Sequence, residues 1–291
     1  MKVAILANCQ ARPLATLLTE IQPDIEISSM GIVHLIKDEQ EAEYSEALTA
    51  ADVIIAQQVA TNYPCQFVTT NRLREQYGDK VMSIVNLYYA GYNPEIMYLR
   101  LQGGTLGGPL GDYHLKSIVQ SWGDGIGIND CIRNCLSVEY NQALFTGVAE
   151  QSLLELKRRE AETSIPIVNF IEQHQSVSKL FHVMNHPVND LLIEYAKRIV
   201  TQLGFPKPEV NLAKRPEYLG PFQLPSNAYS HAHLQLECTE VAYYQGLKFE
   251  QLTDGPIKYS GPYRYQLPEL VEAYYALYDH HSDRVHAFLK R

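Results

Sequence analysis

The sequence predicts an α/β protein: a mostly parallel β-sheet flanked by helices, with a helical cap and an irregular C-terminal region. Three observations carry that prediction. Short, wholly apolar runs alternate with segments of helical periodicity, the pattern of strands covered on both faces and joined by crossover helices. These runs stop at polar residues just before a helix begins. With 291 residues, 46% hydrophobic and 20% charged, the chain can bury a full core without disulfides or metals.

Val3 to Leu6 is the first run; it ends at Ala7-Asn8, and Leu14, Leu17, Leu18 and Ile21 then recur at helical spacing before Pro23. Ile25 to Ser29 alternates like a strand, and Lys37 to Ala50 reads as a helix with an acidic, exposed face. Val53 to Ala56 is a continuous apolar strand that ends in Gln57-Gln58. Phe67 to Tyr77 predicts a helix closed by Gly78, followed by a fourth buried strand, Val81 to Val85, ending at Asn86.

From Tyr88 to Trp122 the pattern turns irregular. Gly103-Gly104, Gly107-Gly108-Pro109 and Gly111 punctuate a loop long enough to suggest a function, ahead of a short helix from His114 to Trp122. Asp130 to Leu136 and a long amphipathic helix over about Tyr140 to Glu162 form the expected cap. Phe181 to Met184 is another strand, followed by Asn185-His186-Pro187 and a periodic helix through Leu191, Leu192, Tyr195, Ile199 and Leu203. Beyond Phe205 prolines are frequent until a terminal helix, Leu267 to Lys290. The expected organisation is an α/β catalytic domain over 1–205, including a helical insertion over about 112–178, with an extension, 206–291, packed on it.

A net charge of -9, from 24 basic and 33 acidic residues, argues against general affinity for nucleic-acid phosphates or anionic lipid surfaces. Any anionic ligand must then be held by a local cluster of cations. Five cysteines (Cys9, Cys65, Cys131, Cys135, Cys238), without CxxC spacing, indicate neither a disulfide framework nor a zinc ribbon, and fit a reducing cytoplasm. The N-terminus lacks a signal-type apolar region, and no stretch approaches the roughly 20 apolar residues that span a bilayer. No metal is expected, because the histidine pairs His231/His233 and His280/His281, with His286, lack an acidic partner pattern. No Walker-type loop or GxGxxG follows the first strand. The 20 tyrosines suit either the edge of a core or a sugar-binding surface.

In a parallel sheet, side chains beyond the carboxyl ends of the strands converge on one edge, the usual ligand site. Cys9, Gln57, Gln58, Asn86 and His186 all fall at such positions. A thiol at a helix N-terminus sees the positive end of the helix dipole and free backbone N–H groups, which are expected to lower its pKa and can hold an oxyanion. A nearby histidine can take or return a proton. Against this stand plainer roles: Cys9 as a small buried hydrophobe, His186 as a cap, Gln57-Gln58 as a solvated turn. Asp112 and His114, which close the glycine-rich loop, suit an added acid/base or substrate-binding group equally with an Asp112 helix cap. Cys131 and Cys135, four apart on a helix, read as core.

Taken in order, AILANCQARPL, VIIAQQV, NLYYAGYNPEIMYLR, GPLGDYH and MNHPVNDLL resemble the WcbI family of capsular-polysaccharide biosynthesis proteins over roughly the first 205 residues. The layout also resembles a distant variant of the SGNH/GDSL hydrolases, a three-layer fold in which a nucleophile follows the first strand and a His-Pro turn follows the last. Gly-Asp-Ser is absent, however, and Val183 stands where that layout has an acidic residue three before the histidine. The resemblance implies a CoA-dependent acyltransferase, moving acetyl from acetyl-CoA to a hydroxyl of a sugar or glycan precursor. Cys9 would carry the acyl group or assist direct attack, His186 would act as base, and Gln10, Asn86, Gln57, Gln58 or backbone N–H groups would stabilise the oxyanion. For the coenzyme's phosphates and its site, Arg12 is the first candidate, beside Asn8, with His114, Lys116 and Arg133 behind it. The rival readings are an esterase or deacetylase acting on glycans with the same Cys/His centre, and a non-catalytic glycan-binding module.

Overall fold

The structure, a computed structural model, describes residues 1–209, 212, 215–238, 240–250 and 257–290. The chain forms two compact units, each assembled from three stretches: Met1–Tyr88, Leu153–Gln173 and Asn185–Leu219 in the first, Tyr89–Ser152, His174–Met184 and Gly220–Arg291 in the second. This partition differs from the expected domain over 1–205 with its extension, because the middle of the chain groups with the C-terminal part and residues 206–219 group with the sheet.

In chain order the elements are β1 (Lys2–Ala7), α1 (Ala11–Ile21), β2 (Glu26–Ile32), α2 (Glu41–Ala50), β3 (Val53–Gln57), α3 (Thr70–Tyr77) and β4 (Val81–Ile84). Four two-residue strands follow, β5 (Ile96–Met97), β6 (Arg100–Leu101), β7 (Gly104–Thr105) and β8 (His114–Leu115), and then α4 (Lys116–Gly123), α5 (Ile128–Leu136), α6 (Val138–Phe145), α7 (Val148–Glu160) and α8 (Val168–His174). The remainder is β9 (Phe181–Val183), β10 (His186–Pro187), α9 (Asn189–Gln202), α10 (Ala228–His233), β11 (Tyr244–Glu250), β12 (Lys258–Tyr265), α11 (Leu267–His280) and α12 (Ser282–Leu289).

The first unit holds a four-stranded, wholly parallel sheet in the order β2-β1-β3-β4. Its central strands are apolar at every position from Val3 to Ala7 because both faces are covered. Ala4, Leu6, Ile54 and Ala56 pack with Leu48 of α2 and Leu73 of α3. Val3, Ile5 and Ile55 alternate to the other face. α1 and α9 pack against each other, and the Tyr195 hydroxyl of α9 bridges both backbone groups of Val85, at 2.9 Å from its N and 3.2 Å from its O. Gly31 of β2 has no room for a side chain: a Cβ would lie within 2.6–2.9 Å of Ile36, Leu6 and Tyr44.

In the second unit β11 and β12 make an antiparallel hairpin, from Tyr244 opposite Tyr265 to Glu250 opposite Lys258. Composition in the proline-rich tail gave no sign of it. Tyr89, Tyr92, Tyr274 and Tyr278 are fully buried, so much of the tyrosine content is core. The expected helix over 140–162 is two helices, α6 and α7, parted at Thr146-Gly147, where Gly147 takes φ +81°. The terminal helix is likewise two, α11 and α12, separated at His281. α4 begins at Lys116 with Leu115 at its N-cap, so Asp112 does not cap it.

Candidate functional site

Register places the candidate residues. Leu6 pairs with Ala56, and Ala56 with Ser83, so the chain leaves β1, β3 and β4 at one level. β1 is flanked by β2 on one side and β3 on the other, which makes the gap beyond β1 and β3 the topological switch point. Asn8, Cys9 and Gln10 turn there into α1.

The turn is tied down by amides. Asn8 N donates to Gln57 Oε1 at 2.7 Å, and Asn8 Nδ2 donates to Asn86 Oδ1 at 2.7 Å. Asn8 Oδ1 accepts from Gln10 N at 3.0 Å. Gln10, at the start of α1, is buried; its Nε2 reaches Asn86 Oδ1 (3.1 Å), Leu87 O (2.8 Å) and Asn185 O (3.1 Å), and its Oε1 accepts from Leu87 N at 3.2 Å. Gln10 therefore has both ends of its amide engaged and clamps three loops together, a correction to its expected place as an oxyanion donor. Two hydrogen bonds converge on Asn86 Oδ1 and one on Gln57 Oε1, so the network assigns the NH2 groups of Asn86 and Gln57 as the donors left for a ligand. Gln58 turns elsewhere: its Nε2 donates to Glu162 Oε2 at 3.3 Å.

Cys9 is half-buried, with Sγ 4.0 Å from the carbonyl oxygen of Asn185, the residue before His186. The β1–α1 turn thus meets the β9–β10 turn. The expectation of a lowered thiol pKa does not hold. Burial pushes the Cys9 thiol up to about 11, outweighing the backbone N–H that favours the thiolate.

Two groups escaped the sequence reading. Asn185 supplies a backbone carbonyl that takes hydrogen bonds from both Gln10 and Cys9, a role its side chain could not announce. Glu217, in the expected C-terminal extension, accepts the backbone N–H of Asn189 through Oε2 at 2.7 Å, at the start of α9 and three residues beyond His186. Asn189 holds that segment, its Nδ2 donating to Pro216 O at 3.1 Å and its Oδ1 accepting from Tyr218 N at 3.0 Å.

The expected cations are scattered. Arg12 stands exposed in the first turn of α1, two residues past Gln10. His114, Lys116 and Arg133 belong to the second unit. His114 is buried with both ring nitrogens engaged, Nδ1 to the Tyr278 hydroxyl at 2.9 Å and Nε2 to Leu106 O at 2.8 Å, and burial lowers it to about 4. A neutral ring with no nitrogen to offer cannot meet a phosphate, which corrects that expectation. Lys116 lies over the Phe145 ring at 5.9 Å, and exposed Arg133 pairs with Asp130. The first unit adds Arg159 of α7, half-buried, paired with Glu155 at 3.3 Å and felt electrostatically by Tyr88, two residues after Asn86. No group of three or more metal-ligating side chains occurs among the described residues. No helix among them is long and apolar enough to cross a membrane.

A family model described as polysaccharide biosynthesis enzyme WcbI matches residues 2–208. A solved structure is similar along nearly the whole length, covering 98% of this chain and 94% of its own at a TM-score of 0.73 and 19% identity. It is described as native WcbI, a novel polysaccharide biosynthesis enzyme, without a disulfide bond between coenzyme A and a cysteine. No curated protein matches the chain.

Proposed function

The chain belongs to the WcbI family of polysaccharide biosynthesis enzymes, and from that premise we propose that it is a coenzyme A-dependent O-acetyltransferase, moving acetyl from acetyl-CoA to a hydroxyl of a sugar or glycan precursor. The observation that carries this reading is the meeting of the Cys9 turn with the turn bearing His186, beside two amide NH2 groups at the switch point of the sheet. The description of the solved relative, in which a cysteine is named with coenzyme A, supports Cys9 as the wall against the coenzyme's sulfur.

In the reaction, His186 takes the proton of the acceptor hydroxyl as its oxygen attacks the thioester carbonyl. The oxyanion of the tetrahedral intermediate receives hydrogen bonds from Asn86 Nδ2 and Gln57 Nε2. Collapse breaks the carbon–sulfur bond, and the departing thiolate regains the proton from His186. Glu217, by accepting the Asn189 N–H, fixes the start of α9 three residues beyond His186. We favour direct transfer over an acyl-Cys9 intermediate, because a thiol near pKa 11 whose sulfur lies against a backbone carbonyl is a poor nucleophile at neutral pH. Arg12 and Arg159 are the cations we assign to the coenzyme's phosphates.

Incubation with acetyl-CoA and a panel of sugars, with chromatographic measurement of free coenzyme A, tests the reading. Expected is acceptor-dependent release, reduced about a hundredfold or more in His186→Asn and less in Glu217→Gln. Cys9→Ala should keep most of the turnover, and intact mass should show no acetylated protein. Cleavage of simple acetyl esters without any dependence on coenzyme A would make the protein an esterase instead.

A further inference from the structure

The second unit contains a cavity of about 370 Å³ that the acyl-transfer reading does not use. It is walled by Leu115, Leu136, Pro225 and the Tyr244 ring, and its polar lining includes Glu95 and Ser117. Those two side chains are set apart from the others. Asn141 and Asn227, also on the wall, have protein partners: Asn227 Nδ2 donates to Asn141 Oδ1 at 2.8 Å, Asn227 Oδ1 accepts from Tyr229 N at 3.0 Å, and Asn141 Nδ2 donates to the backbone carbonyls of Asn134 and Ser137. Ser226 is engaged by Glu240. Glu95 and Ser117 are 6% and 2% exposed, yet Glu95 Oε2 and Ser117 Oγ have no hydrogen-bond partner among the described residues. A buried polar atom without a partner costs roughly 1–3 kcal/mol, so two on one cavity wall call for something that fills the cavity and pairs with them.

The chemistry of the wall narrows the occupant. An anion would meet the carboxyl of Glu95 and, through Ser226, that of Glu240. Lys179, whose charge is felt at Glu95, is committed to Glu240 at 3.3 Å and to the carbonyl of Leu224. A group that both donates and accepts hydrogen bonds suits Glu95 Oε2 and Ser117 Oγ together, and the aliphatic and tyrosine surfaces suit C–H faces rather than further charge. The size falls within the range of small-molecule sites, about 300–1,000 Å³. We propose that this cavity is a binding site for a neutral, hydroxyl-rich small ligand, a single pyranose ring free or at the end of a glycan, held by Glu95 and Ser117. The proposal does not draw on the Cys9 site, so a failure of the acyltransferase reading leaves it standing and open to its own test.

That test is calorimetric titration of the full chain with glucose, galactose, mannose and N-acetylglucosamine, their methyl glycosides, a hexose phosphate and a simple amine. Expected is saturable binding of at least one neutral sugar, weakened about tenfold or more in both Glu95→Gln and Ser117→Ala, with the phosphate and amine silent. A methyl glycoside that binds as well as the free sugar would indicate the end of a glycan. Both variants preserve volume closely, and Glu95→Gln removes a buried ionisable group, so folding, followed by circular dichroism, should survive. Absence of saturable binding by every neutral sugar overturns the proposal, since water alone would then serve the two oxygens. So does sugar binding indifferent to both substitutions, or preference for the phosphate or the amine.

Discussion

At neutral pH a thiol with a pKa of about 11 is about ten-thousandfold more often protonated than ionised, which separates the position of Cys9 from its reactivity. The helix N-terminus beside it favours the thiolate, but dipole effects of about 0.3–1 kcal/mol are smaller than the loss of hydration at a half-buried sulfur. Alkylation by iodoacetamide, read at Cys9 by peptide mass spectrometry, should therefore rise about tenfold per pH step between 7 and 10 without levelling. A plateau beginning near pH 8 would show a stabilised thiolate and return the covalent route to favour. The placement of Cys9 was legible in the sequence because strand, turn and helix are local patterns. Its charge state was not, because burial depends on residues as distant as Asn185.

The β1–α1 turn, the exit of β4 and the turn before α9 are joined chiefly by Gln10 and Tyr195. Each closes a gap between elements far apart in sequence: Gln10 reaches Leu87 and Asn185, and Tyr195 satisfies both backbone groups of Val85. Removing the Tyr195 hydroxyl in Tyr195→Phe leaves a buried N–H and C=O unpaired and should cost about 1–3 kcal/mol in urea unfolding. Gln10→Ala, which strands three loops, should cost at least as much and also abolish turnover. A Tyr195→Phe protein as stable as the parent would show that water takes the place of the hydroxyl. The parallel strands and their crossover helices were readable because apolar runs and helical periodicity are strong signals. The short pairs β5–β8 and β6–β7 were not, since two-residue strands leave no periodicity and exist only through their partners. Gly147 carried a signal for the break between α6 and α7, but the amphipathic pattern on either side masked it.

At the scale of the molecule, the chain passes between its two units at five points, so neither unit is a contiguous piece that could be cut away at residue 205. Two buried titratable groups of the second unit make its stability depend on pH in opposite directions. His114 is held neutral, with a pKa lowered to about 4 from 6.5 by burial. Between those values the unfolded chain binds a proton that the folded one refuses, so this group removes stability as pH falls from 6.5 toward 4. Glu95 is raised by burial from 4.5 to about 7, against the opposing pull of its own backbone N–H, Asn93, Lys179 and Asn227. There the folded chain keeps a proton that the unfolded one has released, so stability is lost as pH rises from 4.5 toward 7. Each removes on the order of 3 kcal/mol at about 1.4 kcal/mol per tenfold change, and over pH 4.5 to 6.5 the two slopes nearly cancel. Glu95→Gln deletes one of them. Urea midpoints for that variant should climb steeply from pH 4.5 to 6.5, while the parent stays comparatively flat, and the variant should exceed the parent at pH 7. Parallel pH profiles for the two proteins would mean that Glu95 is hydrated in its cavity and titrates as an ordinary carboxylate.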